Sequence, residues 1–428
     1  MIRKILVVVL LITSMAQFAQ RTSSSPYSFF GIGQEYDTKT VEQNSMGGIG
    51  VAFNHYKYLN FTNPAANAFL RNTTYTFGVL NNDLTVKNET TSQSSTSTSL
   101  SYLALGFPIG NKAGFSLGLQ PVSSVGYSLS NSEFDADDNI TAISLFNGQG
   151  GVNRIYGSFG LMLSKNIALG IELDYMFGST ENNITRQIAG VSLATRHKEE
   201  NIIRGGAVTI GAQYQKVLKD NLYINAGATV KLGNELNITG NEYLYSVSFS
   251  GGGSEVPRDT ISSDGINGKY ELPLKSILGV GVGKYNKWYV GLEYEMQDAY
   301  TTSGILNSNN NTYRYENSNR VSLGGFYLPK INSLSSYWNR VTYRAGLRYE
   351  KVGLGVDGLA TGSNFTQIND FGMSFGLGLP LKKLSNVNLG FEYGQRGTTE
   401  NNLLKENYFN VRLSLSLSDT WFIKRKID

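Results

Sequence analysis

The chain has 428 residues, with 37 Lys and Arg against 33 Asp and Glu, two His and no Cys. A net charge of +4 with no basic block sets nucleic acid aside as a partner, and the absence of Cys excludes a disulfide framework and a lipid-anchored N-terminus. Forty-eight Gly and 26 Tyr against eight Pro describe strands and turns rather than helices.

Residues 1–16 read as a signal peptide. Arg3 and Lys4 supply the basic start, and Ile5 to Ile12 form an apolar run too short to span a bilayer. Ser14-Met15-Ala16 is a small-x-small cleavage site, with Ala19 as the alternative. The protein is therefore expected to be exported. No later apolar run reaches the length of about 18 residues needed for a membrane-spanning helix.

Residues 17–72 are expected to form an N-terminal extension and a plug. The stretch Ser45-Met46-Gly47-Gly48-Ile49-Gly50-Val51-Ala52 lets the backbone turn tightly or lie against another backbone. Asn63-Pro64-Ala65 follows as a turn signal.

From Thr73 a period-two pattern begins and continues to Ser418. Val411, Leu413, Leu415 and Leu417 alternate with polar residues, as do Val290, Leu292, Tyr294 and Met296. One face suits lipid and the other a polar interior. Most runs match the roughly 9–11 residues that cross a bilayer at a tilt. Short connections alternate with longer ones rich in Ser, Thr, Asn and Gly, the longer set being 83–97, 131–150, 181–200, 234–269, 301–312, 352–367 and 398–404. The spacing predicts an all-β fold over 73–418: a 14-stranded antiparallel transmembrane β-barrel with the plug, or hatch, in its lumen. Segment 241–249 alternates too and is assigned to the long outer loop. Residues 419–428 form a short basic tail in which Trp421-Phe422 resembles a displaced terminal aromatic signal. Lys424, Arg425 and Lys426 suit lipid phosphates or plain solvent equally.

Little in the chain suggests catalysis. His55 falls in the plug and His197 in a charged loop, neither placed beside a nucleophile, so no enzyme activity and no cofactor are expected. Asp135, Asp137 and Asp138 lack the glycine and distal glutamate of a calcium loop, so no metal site is expected. Glu172, Asp174, Glu293, Glu295, Arg344, Arg348, Glu350, Glu392 and Arg412 fall on the inward register. Structural ion pairs are the favoured reading, with Arg344, Arg348 and Arg412 the candidates for contacting a substrate head group.

The motif of Gly47, Gly48, Gly50 and Ala52 followed by Asn63, Pro64 and Ala65 resembles the start of the FadL-like outer-membrane transporters of hydrocarbons and long-chain fatty acids. The strand count agrees with that family. The resemblance implies the outer membrane of a Gram-negative bacterium, with lipid and lipopolysaccharide around the barrel. It also implies passive uptake of a hydrophobic or amphipathic small molecule. FadL-like proteins carry an inward kink in the third strand that opens sideways to the bilayer, and Pro121 stands where such a lateral gate would be. A plain β-bulge is the simpler reading of that proline. The alternative function is a non-transporting scaffold of an outer-membrane assembly, for example in protein secretion, with a protein partner at the long outer loops.

Overall fold

Alternation sorts the side chains into two environments. Along the last strand Leu413 and Leu417 are exposed outside, while Ser414 and Ser416 are buried within. The computed structural model describes residues 25–250, 255–303, 312–359, 361–381 and 385–419. The expected signal peptide, Trp421-Phe422 and the basic tail lie outside these residues.

The sheet forms a closed antiparallel ring of 14 strands. In chain order they are β1 (Thr73–Lys87), β2 (Ser92–Ile109), β3 (Ala113–Phe134), β4 (Ile140–Met162) and β5 (Ile167–Ile188). Then come β6 (Ala194–Val217), β7 (Leu222–Lys231), β8 (Lys275–Lys284), β9 (Trp288–Gln297) and β10 (Ser318–Tyr327). The last four are β11 (Thr342–Val356), β12 (Thr366–Pro380), β13 (Asn386–Gly397) and β14 (Lys405–Asp419). The seam closes where β14 pairs with β1, from Lys405↔Lys87 to Asp419↔Thr73. We call the end carrying connections 110–112, 163–166, 218–221 and 285–287 the inner end, and the opposite one the outer end.

Four expected loops prove to be largely strand, 234–269 among them. Residues 83–97, 131–150 and 181–200 continue β1 to β6 past the apolar band. Ser, Thr and Asn alternate there, and a ladder bonds backbone whatever the side chains are. Polar composition marks where these strands leave the lipid, not where they stop. The wall is consequently uneven: β3 to β6 have 22 to 24 residues, whereas β7 to β10 have 10 each. Segment 241–249 falls in a hairpin, Asn234–Phe249 with Glu255–Leu272, whose arms continue β7 and β8 toward the outer end after breaks at 232–233 and 273–274. Its first arm pairs with the outer half of β6, from Ala194↔Val247 to Gly205↔Leu236.

Residues 25–70 lie inside the ring. Thr40 and Gln43 form a reciprocal capping box on the short helix Val41–Asn44. The chain then turns at Gly47 and Gly48, with φ of 70° and 83°, where a Cβ would be strained. Asn60 ties the plug together. It donates to the carbonyls of Gly50 and Phe53 and accepts from the amides of Thr62 and Asn63. Asn63 in turn caps the 3-10 helix Pro64–Phe69, accepting from the Ala65 amide at 3.0 Å.

Where plug backbone meets the wall, the wall carries glycine. Gly160, Gly170 and Gly211, on β4 to β6, face residues Asn63 to Ala68. Gly227 on β7 faces Val51 and Ala52, and Gly324 and Gly346, on β10 and β11, face Met46 and Gly47. A Cβ at any of these six would overlap plug atoms. The belt permits backbone-to-backbone packing around most of the ring. Polar clasps fix its rotation: Glu293 of β9 accepts from the amides of Gly50 and Val51, both at 2.7 Å. Gln213 donates to the Val51 carbonyl at 2.8 Å.

Candidate functional site: a lumenal cavity and a break in the wall

Above the plug, toward the outer end, the lumen holds a cavity of 320 Å³. Eight carboxylates and eight cations line it, together with Tyr27, Phe30, Tyr270, Tyr300, Tyr315 and Tyr408. The charges are organised into networks. Arg154 bridges Glu172 and Asp174, each at 3.0 Å, and Lys231 reaches Asp174 at 3.2 Å. Arg348 contacts Glu350, Asp370 and Glu392 at 3.2, 3.4 and 2.9 Å. Arg396 joins Asp370 to Glu406, and Lys275 holds Glu295 at 2.6 Å.

Such pairs persist because each buried charge has a partner; removing one partner typically costs about 3–5 kcal/mol. They brace strands across the lumen, in line with the structural reading of the inward charges. Of the three candidate head-group arginines, Arg348 and Arg412 line the cavity, and Arg412 contacts Glu392 at 2.5 Å. Arg344 lies lower, donating to Asn388 at 3.1 Å and stacking over Tyr58. The plug residues Gly47, Gly48, Gly50, Asn63, Pro64 and Ala65 do not line the cavity: Gly47 and Gly48 lie against β10 and β11, and Asn63, Pro64 and Ala65 against β5 and β6.

Pro121 sits at a discontinuity. β2 and β3 pair only from Leu103↔Leu119 to Ile109↔Ala113, although both strands extend far beyond. From Gln120 outward β3 keeps β4 on one side, with a register shift between Pro121 and Ser123. The bulged Val122 carbonyl, freed from the ladder, accepts from the Tyr36 amide at 2.8 Å. Gln34 and Glu35 pair with Ser124 and Ser123, so residues 32–37 form a strap along the free edge of β3. The proline removes a donor where the ladder ends, as its chemistry requires. Gln34, Glu35, Tyr36 and Asp37 also line the cavity, so one short segment borders both the cavity and the break. Burial works against the Asp37 charge, but Arg320, Lys39 and Arg348 outweigh it and hold the carboxyl below its usual range.

Neither histidine stands near a nucleophile. His55 packs between Tyr56 and Tyr58, with ring centroids 4.5 Å away in both cases, and burial with Lys57 and Arg344 keeps it neutral. His197 contacts Glu242 of the outer hairpin. Asp135 accepts from the amides of Asp137 and Asn139 as a loop turn. Sequence reasoning did not single out Asp37, Lys39, Arg154, Asp370, Arg396 or Glu406. The inward register of Arg154, Asp370, Arg396 and Glu406 was readable but their partners were not, and Asp37 and Lys39 fall in the N-terminal segment, which has no strand register.

A closed ring of 14 strands with its N-terminal segment in the lumen is the fold of the FadL-type barrels. The Pseudomonas putida toluene transporter TodX superposes with a TM-score of 0.57 at 16% identity, over 91% of this chain and 98% of that one. The Ralstonia pickettii toluene transporter TbuX gives 0.57 at 13% over 88% and 97%. A Pseudomonas aeruginosa FadL homologue gives 0.57 at 12% over 92% and 100%. At these identities the likeness is one of fold, and it bears out the FadL-like resemblance at that level. A search of curated proteins finds no match. The chain belongs to the BamG family, whose model matches residues 1–428.

Proposed function

We propose that the protein mediates passive uptake of a hydrophobic or amphipathic small molecule across the outer membrane. The solute would move between the lumenal cavity and a lateral opening at the β2–β3 break, with Pro121 marking the gate. The observation that carries this reading is the strap of residues 32–37, which borders the cavity and also occupies the free edge of β3. Apolar side chains reach the cavity as well, including Phe30, Phe61, Leu84 and Ile277, and would hold a hydrocarbon tail. Displacing the strap would join the two spaces without disturbing the ring.

The chain has no cysteine, so a tether is clean to engineer. Gln34 and Ser124 are cross-strand neighbours, within disulfide reach. A Q34C/S124C variant in liposomes should take up a radiolabelled apolar solute normally when reduced and at least tenfold more slowly when oxidised. Equal uptake in both states would remove the strap from the pathway.

A second reading rests on the uneven wall. β3 to β6 and the adjoining hairpin rise far above β7 to β10, a projecting surface that a small-solute channel does not require. In this reading the barrel is a scaffold whose outer face docks a protein of an outer-membrane assembly. Deleting 241–262 would abolish partner association while leaving solute uptake unchanged.

A further inference from the structure

The balance of charge around the cavity leaves one group out. Each of the eight lining cations has a carboxylate within 4.0 Å, and seven of the eight lining carboxylates have a cation within the same distance. The exception among the described residues is Glu35. Glu293 and Asp174 pair with the same cations from behind the lining, so the whole network carries two more carboxylates than cations. Glu35 is exposed to the cavity, and its one recorded side-chain partner is the Tyr300 hydroxyl.

Around it stand aromatic faces. The Tyr270 and Tyr300 rings lie 5.1 Å apart, and the Tyr315 ring meets that of Tyr300 edge-on at 5.9 Å. All three line the cavity, and the Tyr315 hydroxyl is buried without a hydrogen-bond partner. They come from three separate places, namely the returning arm of the outer hairpin, the start of the β9–β10 connection, and the short strand Tyr313–Tyr315. Tyrosine faces carry negative potential, and three rings, one pair tilted by 33° and the other by 75°, beside a carboxylate favour a weakly hydrated organic cation over a metal ion or an anion.

We propose that Glu35, Tyr270, Tyr300 and Tyr315 form a binding site for an organic ammonium group, such as the head of a cationic or zwitterionic amphipath. This deepens the uptake reading by naming the head group, and it rests on that reading for its physiological purpose. The nearest cation, Lys275, is already engaged by Glu295. Burial raises the proton affinity of Glu35; Lys275 and Lys231 oppose this, while Glu350 and Glu295 reinforce it. A bound ammonium would relieve that strain on the charge. Because Glu35 lies on the strap beside β3, an occupied cage would also report directly on the gate.

The test uses full-length protein in a non-ionic detergent. Calorimetric titration with choline, and with its neutral isostere 3,3-dimethylbutan-1-ol, separates charge from shape. Choline should bind at least tenfold more tightly than the alcohol, because only the charged head group gains from the tyrosine faces and the carboxylate. Glu35→Gln should erase the difference. Tyr300→Phe, which keeps the ring, should retain it, and Tyr300→Ala should lose most of it. Equal binding of choline and alcohol, or undiminished choline binding by a Glu35→Gln protein that still migrates as a folded barrel, would overturn the site. Uptake that depends on the strap together with absent choline binding refutes the cage alone. Choline binding together with uptake indifferent to the tether refutes the transport reading alone.

Discussion

The lower and upper halves of the lumen are filled by the same N-terminal segment in opposite ways. Below, residues 41–70 press backbone against a belt of wall glycines, and the fit leaves no room for a methyl group. Above, residues 25–39 cross a cavity on side-chain contacts, ion pairs and one short stretch of edge pairing. Close packing is stiff and fails abruptly when volume is added, whereas a segment that crosses a cavity has space beside it. The difference makes the lower half the tightly fitted one and leaves room for rearrangement only in the upper.

The sharpest way to break this contrast is to give the belt side chains. Gly346→Val should force plug and wall apart at Met46 and Gly47, with a loss of stability of about 3 kcal/mol or more. Heat-modified mobility should shift to lower temperature, and liposomes should leak small solutes. Gly265, whose Cβ would meet nothing within 4 Å, serves as the control and should tolerate Val with little change.

A smaller effect is expected at the clasp. Glu293→Ala strips two plug amides of their acceptor and removes a partner of buried Lys39, at a cost of about 2–4 kcal/mol. Glu293→Gln keeps an acceptor oxygen and should lose roughly half as much, measured by denaturant unfolding in detergent. Equal losses would make charge rather than hydrogen bonding the important element.

The least costly change for stability lies above. Pro121→Val restores an amide donor at the edge of β3 and should alter stability by less than about 1 kcal/mol. Uptake should slow as the ladder extends toward β2. Unchanged uptake by a folded variant would reduce Pro121 to a bulge with no opening.

The sequence allowed the ring to be read strand by strand, because lipid on one side and a polar lumen on the other enforce alternation over the whole 73–419 span. Leu413 against Ser414, and Leu292 against Glu293, show the inference at its most secure. It erred where strands left the lipid: Ser, Thr and Gln at 92–97 look like loop but complete a ladder with β1. The plug motif at Gly47 and Gly48 was legible because positive φ selects glycine. The answering glycines in the strands were not, since glycine in a strand signals a bulge, a bend or a close approach equally. The cage was hidden for a related reason. Tyr270, Tyr300 and Tyr315 lie in segments where tyrosine reads as part of a membrane girdle, and nothing local links them to Glu35.

The path of the N-terminal segment constrains the order of assembly. Ser25 contacts Glu406 near the outer end of β14, while Thr73 opens β1 at the inner end, so the segment traverses the lumen lengthwise. If β14 joined β1 first, that stretch would have to enter through one end of the closed ring and find its close contacts with the wall glycines from inside. Docking on the sheet while it is still open avoids that search, and seam closure would then hold the segment in place. In that order the segment acts as the mandrel around which the barrel is rolled.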